Sequence, residues 1–347
     1  MDNSALRLQP QNNLFLIDWL TFVSHSDTVQ SLEIMLGLYG KNIPWEEGSF
    51  FRHGYPMHKT WNGITISWGA DDSRFYDDPA KARQDMGVCV NLSGQGCRSF
   101  ETYGAGDWNV IMQHIFKPEG RYNVTRLDLA YDDHTGVLDI DQIESDVRSR
   151  YYVSKSKYAE IIWSDDLDDN VQGKNVQVGS NQSAIKIRIY DKASERGFTD
   201  GRHWIRCEIQ LRKQRAYVAF CELYKQQHIG RVACGILRNY LTFRTPTADS
   251  NKSRWPIAPY WSNLLLDMER ITLWVSPGEE YNWHKTESWL TGQCGQAILT
   301  AWKTHRFPDM LHQIERENPK LAPKYERVLH EYETMKNRRL RDETEDP

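Results

Sequence analysis

The sequence predicts an α+β fold in which antiparallel β-sheets are covered by helices and followed by a helical C-terminal extension. Up to about residue 215, segments of alternating apolar and polar residues are separated by glycine and asparagine turns, as in antiparallel sheets. From Trp255 onward, the apolar residues recur almost entirely at helical spacing. With 39% apolar residues among 347, the chain can bury a sizeable core without disulfide or metal staples.

The first elements follow from local signals. Residues 14–24, LFLIDWLTFVS, are rich in β-branched and aromatic residues and predict a strand. Residues 27–40 predict a helix, because apolar residues recur at helical spacing between an Asp N-cap and a final Gly. Asn62-Gly63 predicts a hairpin turn. The stretch S-G-Q-G at 93–96 lacks the ending of a phosphate-binding loop and is interpreted as a turn.

The middle of the chain continues the same alternation of strands and helices. Further elements are predicted as a helix over 106–116, a strand over 124–133, a helix over 139–153, a hairpin over 175–192 and a strand over 203–214. The strands LFLIDWLTFVS and TRLDLAYDD each carry a central Asp and each precede a helix, which leaves open a duplicated β/α unit. We predict a strand-rich domain over 10–215 and a helical region over 216–340.

Composition narrows the class of protein. No apolar run approaches the roughly 20 residues that span a bilayer, and the N-terminus lacks a signal-peptide pattern, so we expect a cytoplasmic protein with no membrane partner. The six cysteines show no zinc-ligand spacing and are expected to be buried thiols. The net charge of −4 is not that of a generic nucleic-acid binder. However, residues 182–215 carry nine Lys and Arg against four acids, whereas 128–170 carry twelve acids against four bases.

Three predicted strands each have one apolar and one polar face, because alternate side chains of a strand point to opposite sides. The polar faces are Arg126, Asp128, Ala130 and Asp132 in the first strand, Lys186, Arg188 and Tyr190 in the second, and Arg206, Glu208, Gln210 and Arg212 in the third. If the apolar faces pack on the core, one sheet face displays carboxylates and a tyrosine among several cations. An ordinary solvated face with cross-strand ion pairs explains the same pattern.

The mixture of groups favours phosphoryl transfer. Two carboxylates can hold a hard divalent cation, arginines can clamp a phosphate, and a tyrosine oxygen can act as a covalent nucleophile. Free tyrosine has a pKa of ~10. We therefore expect Arg188 and Lys192 to favour the phenolate of Tyr190.

The segments that carry these residues resemble those of a known protein family. TRLDLAYDD, IRIYDKASERG and WIRCEIQLR, in this order and spacing, are similar to the Rep_trans family of rolling-circle replication initiation factors, which includes plasmid and filamentous-phage initiators and relaxases of conjugative elements. NLSGQGCRSFETYGAGDW, IDWLTF and HKTESWLTGQCGQAILTA also resemble segments of family members, so that the resemblance spans about 14–305.

The resemblance implies a metal-dependent, site-specific DNA nickase and strand transferase that leaves a 3′-OH primer and religates the strand. The family's nucleophile falls on Tyr190, and the two matched acidic strands imply Asp128 and Glu208 as ligands of Mg²⁺ or Mn²⁺. Asp18 is a weaker third ligand, for which a structural role is an equal alternative. The cations implied at the phosphate or transition state are Arg126, Arg188, Lys192 and Arg206, and further DNA contacts are expected from Lys186, Arg212 and Lys213.

Partners follow from the same resemblance. The substrate is expected to be origin DNA, either supercoiled or as a single-stranded hairpin, in a bacterial host cell. Because the sequence carries no ATPase motif, a host helicase and DNA polymerase are expected as partners. The region over 216–340 is expected to bind the origin or to form a homodimer. Three alternatives stay open: a conjugative relaxase with the same chemistry, a DNA-binding regulator without cleavage, and a metal-independent, recombinase-like enzyme.

Overall fold

The computed structural model describes residues 14–48, 55–69, 87–116, 122–165, 171–265 and 294–317, with 271, 273, 290–291 and 320–321. The chain divides into two units, Met1–Trp274 and Val275–Pro347. Among the described residues, no helix has both the length and the apolar character needed to cross a membrane.

A ten-stranded sheet dominates the first unit, and every pairing in it is antiparallel. Its strands are, in chain order, β1 (Leu14–Ser24), β2 (Glu46–Gly48), β3 (Met57–Trp61), β4 (Ile64–Trp68), β5 (Val88–Leu92), β6 (Tyr122–Asp133), β8 (Ala159–Asp165), β9 (Val171–Val178), β10 (Ile185–Asp191) and β11 (Ile205–Arg212). Their order across the sheet is β2-β3-β4-β5-β1-β6-β11-β10-β9-β8. Two short strands, β7 (Tyr152–Ser154) and β12 (Leu241–Phe243), form a separate pair.

Helices cover this sheet. The first unit contains α1 (Val29–Leu36), α2 (Gly94–Tyr103), α3 (Trp108–Ile115), α4 (Ile140–Arg148), α5 (Lys192–Glu195), α6 (Gln214–Gln226), α7 (Ile229–Tyr240) and α8 (Pro259–Leu265), with a 3₁₀ turn at Lys252–Arg254. The described part of the second unit contains α9 (Gly295–Lys303) and α10 (Phe307–Glu317). The predicted α+β class, with a large antiparallel sheet covered by helices, is confirmed.

The core lies on one face of the sheet. The strand residues that alternate toward it, among them Phe22, Leu129, Ile187 and Ile209, are almost completely buried. Helices α6 and α7 pack against β6 and β1 within the first unit. These two helices follow residue 215, so part of the segment predicted as the C-terminal helical region is built into the strand-rich unit.

A β-bulge in β1 changes which side chains face the opposite, polar side. The register with β6 shifts between Ile17 and Trp19, so that Asp18 and Trp19 together oppose Asp128. Such an extra residue bends a strand and redirects its side chains. Regular alternation would place Asp18 on the same face as Leu20, but across the bulge Leu20 joins the core whereas Asp18 meets Arg206 on the polar face.

The S-G-Q-G stretch starts a helix, which corrects its interpretation as a turn. Ser93 is the N-cap of α2, and its hydroxyl accepts from the Gly96 amide at 3.3 Å. Glycine is needed here because a Cβ at Gly96 would lie 2.3 Å from the Gly63 carbonyl oxygen. At Gly94 a Cβ would lie 3.2 Å from Asp18 Oδ1. The small residues therefore let the first turn of α2 approach the bulge that carries Asp18.

Candidate active site

The three strands selected from the sequence are neighbours, as the argument from alternating faces requires. The order β6-β11-β10 places β11 in the middle. Arg206 lies between Tyr190 and Asp132 across the strands. Glu208 is paired with Arg188, and Gln210 lies between Lys186 and Asp128. The prediction that one face of the sheet collects these groups is confirmed.

Tyr190 lies at the end of β10 and is largely buried, with 8% of its surface exposed. Its Oη donates a hydrogen bond to Glu208 Oε2 at 3.2 Å. Lys192 Nζ lies 3.5 Å from the same Oη. The Arg188 guanidinium carbon is 5.3 Å from the centre of the tyrosine ring. The phenol therefore has a carboxylate within proton-transfer distance and cations around it.

The pKa of Tyr190 is well above the ordinary value for tyrosine. Burial is the largest cause, and the negative charge of Glu208 adds to it. Arg206 and Arg188 act in the opposite direction but do not outweigh these two effects. The expected effect of Arg188 on the phenolate is therefore present, but burial and Glu208 outweigh it. The phenol keeps its proton, and removing it requires a base.

Glu208 is the base that the geometry offers. Its carboxylate is 2% exposed and accepts two hydrogen bonds from Arg188 Nη2, at 2.8 and 2.7 Å. Arginine holds a carboxylate in a defined orientation. The clamp turns one oxygen of Glu208 toward Tyr190 Oη. Arg188 thus serves as a positioning residue for Glu208 as well as a charge beside the tyrosine.

Arg206 joins β11 to two other strands. Its Nε and Nη2 donate to the two oxygens of Asp132 at 2.6 and 2.7 Å, and its Nη1 lies 2.7 Å from Asp18 Oδ2. Burial lowers the pKa of the Arg206 guanidinium, but the two carboxylates outweigh that effect and raise it. Its donors are therefore occupied by protein groups. Asp132 was not singled out in the sequence, although it shares the face of Asp128 in TRLDLAYDD.

Asp128 lies one strand away from Glu208 and is 1% exposed. Arg126 donates to it from Nη2 at 2.5 Å and from Nε at 3.1 Å, and Gln210 Nε2 lies 3.4 Å away. The pKa of Asp128 is raised to about 7, because burial, its largest cause, and the charge of Glu208 together outweigh the bond from Arg126, which lowers it. A carboxyl group with this pKa changes its charge near neutral pH.

The carboxylates fit a hard cation in donor type and charge. Burial is the main cause of the raised pKa of Asp18, as it is for Asp128, and the negative charge of Glu208 contributes to both. A divalent cation would relieve this repulsion. Each of the three carboxylates contacts an arginine, and no three His, Cys, Asp or Glu side chains in the described part of the chain form a cluster with metal-ligand spacing. Two of these carboxylates, completed by phosphate oxygens and water, are a donor set that Mg²⁺ accepts.

Two buried polar atoms beside the tyrosine lack a hydrogen-bond partner among the described residues. They are Arg188 Nε and the side-chain oxygen of Asn175, which lies directly across from Tyr190 on β9. Unpaired buried polar groups are rare and often mark a ligand site. Asn175 was not found from the sequence, because nothing in VQGKNVQV shows which strand pairs with β10.

The residues predicted to contact DNA differ in exposure. Lys186 is buried, its Nζ donates to Asn181 Oδ1 at 3.0 Å, and burial lowers its pKa. Arg212 is half-buried and donates to Gln210 Oε1 at 2.8 Å. Lys213 is exposed and starts α6 with a φ of 53°. The structure therefore brings Lys186 into the polar face and leaves Lys213 at the surface.

Comparison with known proteins defines the class of protein to which this chain belongs. The sequence model of the replication initiation factor family, Rep_trans, matches residues 122–314. This match includes β6, β10 and β11 and covers more than half of the chain. The chain therefore belongs to the replication initiation factor family, and the predicted resemblance is confirmed.

Two individual relatives agree with this assignment. The putative DNA relaxase NicK of Bacillus subtilis (strain 168) is 26% identical over 274 residues, which are 74% of this chain and 75% of the relative. The solved structure of a rolling circle replication initiator protein from Geobacillus stearothermophilus is 28% identical, with a TM-score of 0.64. That similarity covers 76% of this chain and 100% of the other.

Proposed function

We propose that this protein starts rolling-circle replication by nicking one strand of origin DNA through a phosphotyrosine at Tyr190, and that it later religates the strand. The observation that carries this proposal is the hydrogen bond from Tyr190 Oη to the arginine-clamped carboxylate of Glu208. The names of the two relatives, a putative DNA relaxase and a rolling circle replication initiator, support the same class of reaction.

The reaction transfers a phosphoryl group without net hydrolysis. Tyr190 Oη attacks the scissile phosphorus while its proton passes to Glu208. The bond between phosphorus and the 3′ oxygen breaks, and that oxygen leaves as a hydroxyl after taking a proton from solvent. The 5′ phosphate stays on the tyrosine. In religation a 3′-hydroxyl attacks the phosphotyrosine, and the phenol regains its proton.

The cations around Tyr190 have two roles in this proposal. Arg188 holds Glu208 with Nη2, and its partnerless Nε is a donor for a phosphate oxygen. Lys192, 3.5 Å from Tyr190 Oη, stabilises negative charge as it develops on the phosphate. Arg206 instead fixes the strands through Asp132 and Asp18, so its role is positioning.

A divalent cation, Mg²⁺ or Mn²⁺, is proposed as the cofactor. Asp128 and Glu208 would hold it, with Asp18 as the further candidate. When bound, it would polarise the scissile phosphate and stabilise its added negative charge. Because a cation competes with protons, its binding to Asp128 should strengthen as the pH rises through about 7.

The partners in this proposal are origin DNA, a host helicase and a host DNA polymerase, with a homodimer as the assembly. A conjugative relaxase would use the same chemistry at a transfer origin. Genes next to the coding sequence separate the two, because coat and assembly genes indicate a phage whereas transfer genes indicate conjugation.

The decisive experiment incubates supercoiled plasmid carrying the element's own DNA with wild type or Tyr190→Phe, in Mg²⁺, in Mn²⁺ or in EDTA. We expect relaxed product and a covalent protein–DNA adduct on a denaturing gel for wild type with metal, and neither for the variant. Specific binding without an adduct from wild type would favour a non-catalytic regulator. Nicking activity in EDTA would contradict the proposed requirement for a divalent metal.

A further inference from the structure

A cavity of about 330 Å³ opens on the polar face of the sheet, away from Tyr190. It lies across β4, β5, β1 and β6, and the residues that matter here are Trp19, Tyr55, Thr65, Ser67, Asn91 and Arg126. This volume is at the lower end of the roughly 300–1,000 Å³ typical of small-ligand sites. The cavity therefore suits a ligand about the size of one nucleoside.

The walls of the cavity carry almost no net charge, and most of the surface that they expose to it is apolar. Hydroxyl, amide and aromatic side chains supply most of its lining, and burial raises the pKa of the Cys89 thiol to about 12, so that thiol is neutral. Among the described residues that line the cavity, only Arg126 is ionised, and its charge is matched by Asp128. Arg126 also stacks 3.7 Å above the Trp19 ring. An anionic phosphate would find little net positive charge here, whereas a neutral polar ring would be accommodated.

Several hydrogen-bonding groups of the cavity are unused. Asn91 Oδ1 accepts from Trp19 Nε1 at 2.8 Å and from Thr21 Oγ1 at 2.7 Å, which leaves its amide nitrogen without an acceptor among the described residues. Thr65 and Ser67 are buried residues, and their hydroxyls make no side-chain hydrogen bond within the described part of the chain. Donors and acceptors fixed in place in this way can read the edge of a base.

We propose that this cavity binds one unpaired nucleobase of the strand that Tyr190 cuts, with Asn91 as the residue that determines which base is accepted. The inference rests on the proposed function, since it assumes that single-stranded DNA crosses this face. Trp19 and Tyr55 supply aromatic surface for the base, and the unused hydroxyl and amide groups contact its edge.

The position of the cavity sets which nucleotide it reads. Thr21 is opposite Arg126, six residues along β6 from Asp132, and Tyr190 is three strands from β1. With strands ~4.8 Å apart and a rise of ~3.3 Å per residue, the cavity lies roughly 25 Å from Tyr190. The backbone would cross the charged half of the face while a base several nucleotides from the nick enters the cavity.

The test uses binding, so that it does not depend on cleavage. The full chain carrying Tyr190→Phe selects from a library of random single-stranded DNA, and the bound sequences are compared with those selected after adding Asn91→Ala or Ser67→Ala. We expect one position of the selected sequence to lose its base preference by about tenfold, the loss of roughly one hydrogen bond, while the other positions keep theirs. Thr65→Val should act in the same way.

The matched control is Thr60→Val, because Thr60 lies directly across from Thr65 on β3 but outside the cavity. It should leave the selected sequence unchanged. Unchanged preferences in all the cavity variants, or a library recovered without any base preference, would overturn the cavity proposal. The adduct assay with wild type judges the nicking proposal separately, so failure of one is not failure of the other.

Discussion

The polar face of the sheet has two halves that bury polar groups in different ways. On β6, β11 and β10, opposite charges are paired in contact, as in Arg206 with Asp132 and Arg188 with Glu208. Around the cavity on β4, β5 and β1, most polar groups are hydroxyls and an amide, several of them unused. Buried charges must be paired, whereas unused hydroxyls cost less to bury. The first half suits a reacting phosphate and the second a neutral base.

The largest expected effect comes from removing the general base, Glu208, in the charged half of the face. Glu208→Gln keeps the shape of the side chain but cannot accept the proton of Tyr190. General-base catalysis contributes about 10²–10⁴-fold, so single-turnover nicking should fall by that factor while DNA affinity changes little. The measurement is a time course at saturating DNA beside an anisotropy titration. Glu222→Gln, at a half-buried position of α6, is the control, and equal losses of rate and affinity would contradict the role of Glu208.

A second change tests whether the paired charges hold the strands together. Arg206→Met leaves Asp18 and Asp132 without their cation in a buried setting. Breaking a buried ion pair in this way costs about 3–5 kcal/mol of unfolding free energy. Urea denaturation measures the loss. Arg202→Met removes an exposed pair with Asp200 and should change the unfolding free energy far less, so equal losses would show that burial of the Arg206 network is unimportant.

The third prediction concerns pH. Since the pKa of Asp128 is about 7 in the folded protein and 3.8 in a model compound, its contribution to the unfolding free energy falls as the pH rises from about 4 to about 7. Metal-dependent nicking should move in the opposite direction, rising about tenfold per pH unit below 7 and levelling above it. Asp128→Asn should remove both dependences. A flat rate profile for wild type between pH 5 and 7 would contradict this prediction.

The smallest expected effect concerns the surface. Lys213 is exposed, so Lys213→Gln should weaken DNA binding without base preference and reduce the slope of log affinity against log salt by about 1. The nicking rate at saturating DNA should not change. Anisotropy titrations at several salt concentrations give the slope. A changed nicking rate would contradict this surface role and indicate that Lys213 acts in the active site.

The sequence predicted the fold and the charged face because alternation is a local signal. In TRLDLAYDD and WIRCEIQLR, period-two patterning places Asp128 and Glu208 each on the polar face of its own strand, opposite the apolar face that packs on the core. The bulge at Asp18 was missed because it depends on pairing with β6. Asn175 and the hydroxyl-rich cavity were missed for the same reason, since non-local strand order brings their residues together.

The net direction of the pKa shift of Tyr190 could not be predicted from the sequence for a related reason. Neighbouring cations are visible in IRIYDK, but burial and the approach of Glu208 are properties of the assembled sheet. The raised pKa changes the mechanism, because a protonated phenol needs the general base that a phenolate would not.

The most direct test of the central claim identifies the amino acid that carries the DNA. Adduct formed by wild type with the element's own origin DNA is digested with trypsin and nuclease, and the nucleotide-bearing peptide is sequenced by mass spectrometry. We predict a nucleotide on the tyrosine of IYDK, residues 189–192. A nucleotide on any other tyrosine would contradict the assignment of Tyr190 and of Glu208 as its base.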